Sequence, residues 1–338
     1  MKLTILGAGA IGGICGAYLT RAGREVTMVE PYKEHRERIR EAVYIDGVRG
    51  ELTVPLNAVA AEELTGSLGL VLLAVKSART LEALENIRPL VASDTTIVSL
   101  QNGINEDRIA SVVGPERVVG CSIGWGATYV GPGHLSQTSE GKFIIGELSG
   151  EMTDRIESVK SVLDDITETT LTSNIYGHLW TKLAMNCVIA GCAVLGLTVG
   201  ETLEPERNKR LFIKLIHEII DVAEAHGVRM EPIEGVVDPY VFKRSDEEGI
   251  ELCFQILDMV RAIHERVKPG PLQDLEKGIK TEVDYITGYC VDRAREKNLA
   301  TPINTTVREI IKKIEASQAT PSPKNLSELE AAAKGKDP

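Results

Sequence analysis

Lys2-Leu-Thr-Ile-Leu6 runs directly into Gly7-Ala8-Gly9-Ala10-Ile11-Gly12, and Glu25-Val-Thr-Met-Val-Glu30 follows after a helical stretch. The order is an apolar strand, a glycine turn that opens a helix over about 12–22, and a second strand ending in a carboxylate. Each glycine has a physical task. Gly7 permits a tight turn, Gly9 lets backbone amides approach a pyrophosphate, and Gly12 lets the helix pack closely on the strand. Ala10 and Ile11, between the second and third glycines, are expected to bind the cofactor with them, and the positive end of the helix that follows faces the phosphates. Glu30 suits a hydrogen bond to a ribose 2′-hydroxyl and repels a 2′-phosphate, so NAD(H) is expected in preference to NADP(H). A glycine triplet alone is a weak signal. With the strand before it, the helix after it and the acid beyond, it predicts a Rossmann-type, doubly wound α/β domain that binds a dinucleotide.

The pattern continues outward from that stretch. Residues 69–75 and 95–100 are continuous apolar runs, as expected of parallel strands covered on both faces. Residues 118–122 form a further strand, and 131–147, with Leu135, Phe143 and Ile145 alternating, read as a hairpin. The dinucleotide-binding domain is expected over 1–173. From about 175 the periodicity is helical, giving an all-helical substrate and catalytic domain over 174–317. Its helices are expected at 177–195, at 208–226 with Gly227 as the stop, at 239–266 in two pieces around Gly249, at 271–297 as one long helix, and at 306–315. Residues 318–338 mix Ala, Ser, Pro and Lys and read as a flexible tail with a short helix near 326–334.

Composition narrows the function. The chain has 338 residues, 43% hydrophobic and 26% charged, which suits a soluble two-domain protein. A formal net charge of -11 disfavours nucleic acid and anionic membrane as partners. No stretch is read as a membrane span, and no signal peptide is expected with a strand starting at Lys2. The six cysteines form no CxxC pair, so reduced thiols and a cytoplasmic location are expected; neither they nor the histidines show metal-ligand spacing.

Three further constellations can carry chemistry. Lys76 follows the 69–75 strand and Gln101-Asn102-Gly103 follows the 95–100 strand, at the strand ends where doubly wound sheets bind ligands. Lys76 can reach a phosphate, a ribose or a substrate, and Asn102 offers both a donor and an acceptor. Lys182 and Asn186 lie at i and i+4, on one face of the apolar 177–195 helix. A lysine there is costly to bury without a partner, unless its stem lies along the rim of the core. Glu282 and Asp284 supply carboxylates later, with Asp274 and Gly278 spaced along the same expected helix.

These pieces, in this order, resemble the ketopantoate reductase (2-dehydropantoate 2-reductase) family. The resemblance spans residues 1 to about 315. It rests on Gly7-x-Gly9-x-x-Gly12, Lys76, Gln101-Asn102-Gly103, Leu179-Trp180-x-Lys182-Leu-Ala-x-Asn186-Cys187 and Leu272-Gln273-Asp274. It continues through Thr281-Glu282-x-Asp284-Tyr285-Ile-x-Gly288 and Pro302-x-Asn304-Thr305. It implies hydride transfer between a nicotinamide cofactor and a 2-oxo or 2-hydroxy acid, in pantothenate biosynthesis for the family's namesake. Lys182 would be the catalytic lysine and Glu282 its acidic partner. Asn186, Lys76 and Asn102 would touch cofactor or substrate, and Asp274 and position 270 would belong to the substrate set. Two positions depart from the family pattern: Ala190 and Gly270 stand where an asparagine and a serine are usual. Two other readings stay open, a 3-hydroxyacid dehydrogenase of the 6-phosphogluconate type and a non-catalytic NAD(H)-binding regulator. A homodimer is compatible with the apolar helices.

Overall fold

The computed structural model describes residues 2–233 and 235–334. They fall into two compact units that divide between Tyr176 and Gly177.

The first unit is built from β1 (Leu3–Leu6), α1 (Ala10–Arg21), β2 (Val26–Val29), α2 (Lys33–Glu41), β3 (Val43–Gly47), β4 (Leu52–Val54), β5 (Ala58–Val59), β6 (Leu68–Leu73), α3 (Thr80–Ile87), β7 (Val91–Ser99), α4 (Glu106–Val113), β8 (Val118–Ile123), β9 (Ala127–Gly131), β10 (His134–Gln137), β11 (Phe143–Glu147), α5 (Asp154–Leu163) and β12 (Thr169–Leu171). Eight strands form the main sheet in the order β12-β11-β8-β7-β6-β1-β2-β5. It is parallel from β8 to β5, and β11 pairs antiparallel with β8. Successive residues of its central strands feed opposite cores, because side chains alternate across a strand. Ile5, Leu70 and Leu72 join α1 and α5, while Leu6, Val71 and Leu73 join α3 and α4. This two-faced burial explains why the strands read as unbroken apolar runs.

Residues 131–147 are not a hairpin. β10 belongs to a second sheet, β4-β3-β10-β9, and β11 to the main one. Leu135, Phe143 and Ile145 are all buried in one core, so their alternation reported burial but not pairing partners. The chain changes sheets beside Gly141, where a Cβ would collide with the Gly124 carbonyl. The small sheet packs on α1 through Leu135, which fills the space that a side chain at Gly13 would need.

The second unit contains most of α6 (Ile175–Leu195), then α7 (Val199–Leu203), α8 (Glu206–Ala225), α9 (Glu247–Ile263), α10 (Gly270–Glu276), α11 (Thr287–Glu296), α12 (Pro302–Glu315) and α13 (Leu326–Ala333). α6 is long and apolar enough to cross a membrane by length and composition, contrary to the expectation from sequence, yet 72% of its apolar window is buried inside the protein. The expected helix over 271–297 is broken. Gly278 adopts φ 67°, its N–H bonds to the Leu275 carbonyl, and the Ile279 N–H bonds to the Asp274 carbonyl. That paired closure ends a helix on a left-handed glycine. Asp274 and Glu282 therefore do not share a helix face. Gly249 lies in the first turn of α9, and the interruption falls at 244–246.

The segment expected to be a loose tail is packed as far as residue 334: Leu326 and Leu329 of α13 are buried, and Asn325 donates to the Val194 carbonyl at 2.9 Å. Residues 335–338 lie outside the described residues. The Pro302-x-Asn304 element has a structural task. The buried Glu218 carboxylate on α8 accepts the N–H groups of Ile303 and Asn304, both at 3.0 Å, and so caps α12.

Candidate active site

The glycine loop lies between β1 and α1, beside the strand order's reversal at β1, where doubly wound sheets bind ligands. Gly7 takes φ 94°, closed to most residues with a side chain, and its N–H bonds to the Val29 carbonyl at 2.9 Å. A side chain at Gly12 would strike the Gly7 carbonyl and come within 2.8 Å of the Ala74 Cβ. A side chain at Gly9 would meet nothing within 4 Å, so the loop leaves open space above it. Gly9 is the N-cap of α1 and makes no side-chain capping bond. Open space, a bare glycine and uncapped helix amides fit a pyrophosphate.

Glu30 is buried, and both of its oxygens are engaged. Ala8 donates its N–H to one at 3.0 Å and Tyr32 donates its N–H to the other at 2.8 Å. The residue ties the glycine loop to the end of β2, a structural task that its position as a terminal acid did not reveal. Arg36 donates to the carbonyls of Glu30 and Pro31, at 2.7 and 3.1 Å.

The β6 and β7 ends meet in a polar lock. Buried Ser77 donates its hydroxyl to the Asn102 carbonyl at 3.0 Å, and Asn105 donates to the same carbonyl at 2.9 Å. Gln101 donates to the Val75 carbonyl at 2.7 Å and to Thr80 Oγ1 at 2.8 Å. Gly103 turns the chain at φ 81°. Lys76 and Asn102 therefore sit on two loops fastened to each other, with Asn102 exposed. Gly7 touches the same corner, since a Cβ there would lie 3.0 Å from Val75. The structure thus brings together Gly7, Gly9, Gly12, Lys76 and Asn102, all at the carboxyl ends of parallel strands. Glu106, just beyond at the start of α4, is buried, and burial pushes its carboxyl up to about 7.

In the second unit α6 is buried on nearly every side. The exception within 177–190 is a half-exposed stripe of His178, Lys182, Met185, Asn186 and Ile189, spaced as one helix face. Lys182 and Asn186 lie on it, one turn apart, and the Asn186 Nδ2 is buried without a hydrogen-bond partner. α6 packs against the 281–289 segment, with the Trp180 and Tyr289 rings 5.6 Å apart. Glu282 precedes a 3-10 turn at Val283–Tyr285, between two anchored neighbours. Thr281 bonds to Glu315, and Asp284 pairs with Arg308 and Lys312 at 3.0 and 2.8 Å. Asp274 lies in α10, half-buried, and Gly270 opens that helix with room for a side chain. Ala190 is fully buried. Among the described residues no cluster of His, Cys, Asp or Glu is able to hold a metal ion.

A doubly wound dinucleotide domain joined to a helical domain with an accessible lysine defines a class of nicotinamide-dependent oxidoreductases. Residues 3–150 match the family model "Ketopantoate reductase PanE/ApbA", and residues 174–315 match the model of its C-terminal domain. This chain belongs to that ketopantoate reductase family, and it is an oxidoreductase of the 2-dehydropantoate 2-reductase type. The 2-dehydropantoate 2-reductase of Pyrococcus abyssi is 32% identical over 324 residues, covering 94% of this chain and 98% of that protein. The PanE/ApbA family ketopantoate reductase of Ralstonia eutropha JMP134 superposes with a TM-score of 0.80 at 25% identity, covering 94% and 99% of the two chains. D-mandelate dehydrogenase, solved with NADH and anilino(oxo)acetate, shares the fold with a TM-score of 0.81 at 24% identity and the same coverage.

Proposed function

We propose that this protein uses NADH to reduce a 2-oxo acid to the 2-hydroxy acid in the cytoplasm, with Lys182 as the general acid. One observation carries the reading: Lys182 and Asn186 occupy the half-exposed stripe of an otherwise buried helix, and the Asn186 Nδ2 has no hydrogen-bond partner. A lysine on a core helix is costly unless it is paired or its ammonium reaches solvent, and Lys182 is half-exposed. When bound, the reduced nicotinamide supplies a hydride to the keto carbon. Gly9 and the first turn of α1 hold the pyrophosphate, and Glu30 accepts from the ribose through its remaining lone pairs. Lys76 and Asn102, on the fastened β6 and β7 loops, hold the cofactor. The Lys182 ammonium hydrogen-bonds the carbonyl oxygen and gives up its proton as negative charge develops there. Glu282 orients that ammonium, while Asn186 and Asp274 fix the acid in a reactive geometry. The backbone at Gly270 lines the same substrate set.

Gly270 and Ala190 bear on the choice of acid. Each absent polar partner for a substrate hydroxyl or carboxylate weakens binding by roughly 1–3 kcal/mol. Ketopantoate is therefore expected to be a poorer substrate than a 2-oxo acid without its hydroxyl. NADH oxidation measured against a panel of 2-oxo acids, ketopantoate included, tests this. No turnover across the panel, with NADH still bound, would point to a regulator.

A further inference from the structure

His35 lies on α2, is almost fully buried, and touches the glycine loop from behind. Its Nε2 is 2.7 Å from the Ala8 carbonyl, and the Gly133 N–H donates to its Nδ1 at 3.0 Å. These two contacts fix the ring's proton. Nδ1 accepts, so Nε2 carries the hydrogen and donates it to Ala8. The Tyr129 ring meets His35 edge-on at 5.1 Å. Tyr129 and Gly133 both come from the β9–β10 hairpin of the small sheet, for which the glycine loop alone has no use.

The Ala8 peptide groups are thereby held on both sides: the N–H by Glu30 and the C=O by His35. In a trans peptide the N–H points opposite to the preceding C=O. With the Ala8 carbonyl drawn toward His35, the Gly9 N–H is aimed away from His35. We propose that His35 is a positioning residue for cofactor binding: it transmits the fixed β9–β10 hairpin to the Ala8–Gly9 peptide and aims the Gly9 amide at the pyrophosphate. The inference rests on the dinucleotide reading given above and assigns the small sheet a part in it.

Two substitutions separate aim from bulk. His35→Gln places an amide nitrogen near the position of Nε2 and keeps the donor to Ala8. His35→Asn is too short to reach Ala8 but keeps an acceptor near Nδ1 for Gly133. The full-length variants are titrated with NADH, ADP and adenosine, and their melting temperatures are recorded. The expected result is that His35→Asn binds NADH and ADP about tenfold more weakly while adenosine binding is unchanged, with His35→Gln restoring most of the loss. kcat at saturating NADH stays near the wild-type value. Equal NADH and ADP affinities in wild type and His35→Asn would overturn the proposal, as would equal weakening for adenosine. If the wild type bound neither NADH nor ADP, the dinucleotide reading itself would fall, and this inference with it. Should His35→Asn not fold, His35→Gln is compared with Tyr129→Leu. There NADH affinity must fall for the Tyr129 variant alone, and no difference between the two would overturn the proposal.

Discussion

Thr281 gives both its backbone N–H and its hydroxyl to one carboxylate oxygen of Glu315, at 2.8 and 2.7 Å. The other Glu315 oxygen takes Lys312 at 3.0 Å, and Lys312 reaches Asp284 at 2.8 Å. A closed circuit thus pins both ends of the 281–284 stretch to α12 and leaves Glu282 between the pins. Glu315 is not near the expected chemistry in sequence, and nothing about a glutamate at the end of a helix singles it out. Glu315→Ala is expected to lower kcat about tenfold while NADH affinity is retained, because a displaced Glu282 orients Lys182 poorly. A folded Glu315→Ala enzyme with unchanged kcat would show that the circuit only stabilises the fold.

Lys182→Ala should reduce kcat by at least about two decades, the usual contribution of a positioned general acid. Cofactor affinity should persist, since the glycine loop and the β6 and β7 loops are untouched. Single-turnover measurements under saturating NADH distinguish this from a binding defect. Near-wild-type turnover would remove Lys182 from the reaction.

Glu30 is expected to give NADH a higher kcat/KM than NADPH. Its two backbone bonds add a second expectation. Glu30→Gln should narrow the preference and also lower the melting temperature, because one of the two N–H donors then faces an amide NH2 instead of an oxygen. Kinetics with both cofactors, alongside thermal unfolding, separate the two effects. A wild-type preference for NADPH would assign the 2′-phosphate to another residue, with Lys33 and Arg36 the next cations along the chain.

Glu106 gives the pH dependence of stability a definite sign. Burial raises its carboxyl from 4.5 to about 7, opposed by the backbone N–H groups of Glu106 and Asn105 and by Ser99. The folded chain therefore holds this proton more tightly than the unfolded chain. The associated stabilisation is full below about 4.5 and is lost as pH rises through about 7, a change of roughly 3 kcal/mol. Glu106→Gln, neutral at every pH, should be more stable than wild type at about pH 8, with the difference vanishing in mild acid. Chemical denaturation of both proteins across that range is the measurement. A constant difference would mean that Glu106 titrates normally.

Much of the first unit was legible because its signals are local. A strand buried on both faces must be apolar throughout; Gly7 is held to glycine by its own φ of 94°, and Gly12 by the Gly7 carbonyl five residues before it. Lys182 and Asn186 were legible for the same reason, since helical spacing alone puts them on one face. The misreadings have equally physical causes. Alternation at Leu135, Phe143 and Ile145 reports that the residues are buried, not which strand they pair with. Periodicity across 271–297 concealed a break because a single glycine, Gly278, closes α10 without disturbing the apolar pattern on either side. The short strands β4, β5 and β9 are too brief or too exposed to leave a pattern.

The sequence by itself determined the dinucleotide loop, the α/β-then-helical order and the lysine–asparagine face, because each depends on contacts between neighbours in the chain. Tertiary structure alone decided what His35, Glu218 and Glu315 do. Each holds a backbone amide, a backbone carbonyl or a hydroxyl that lies far away in sequence, and such partners are chosen by folding, through the need to satisfy every buried polar group.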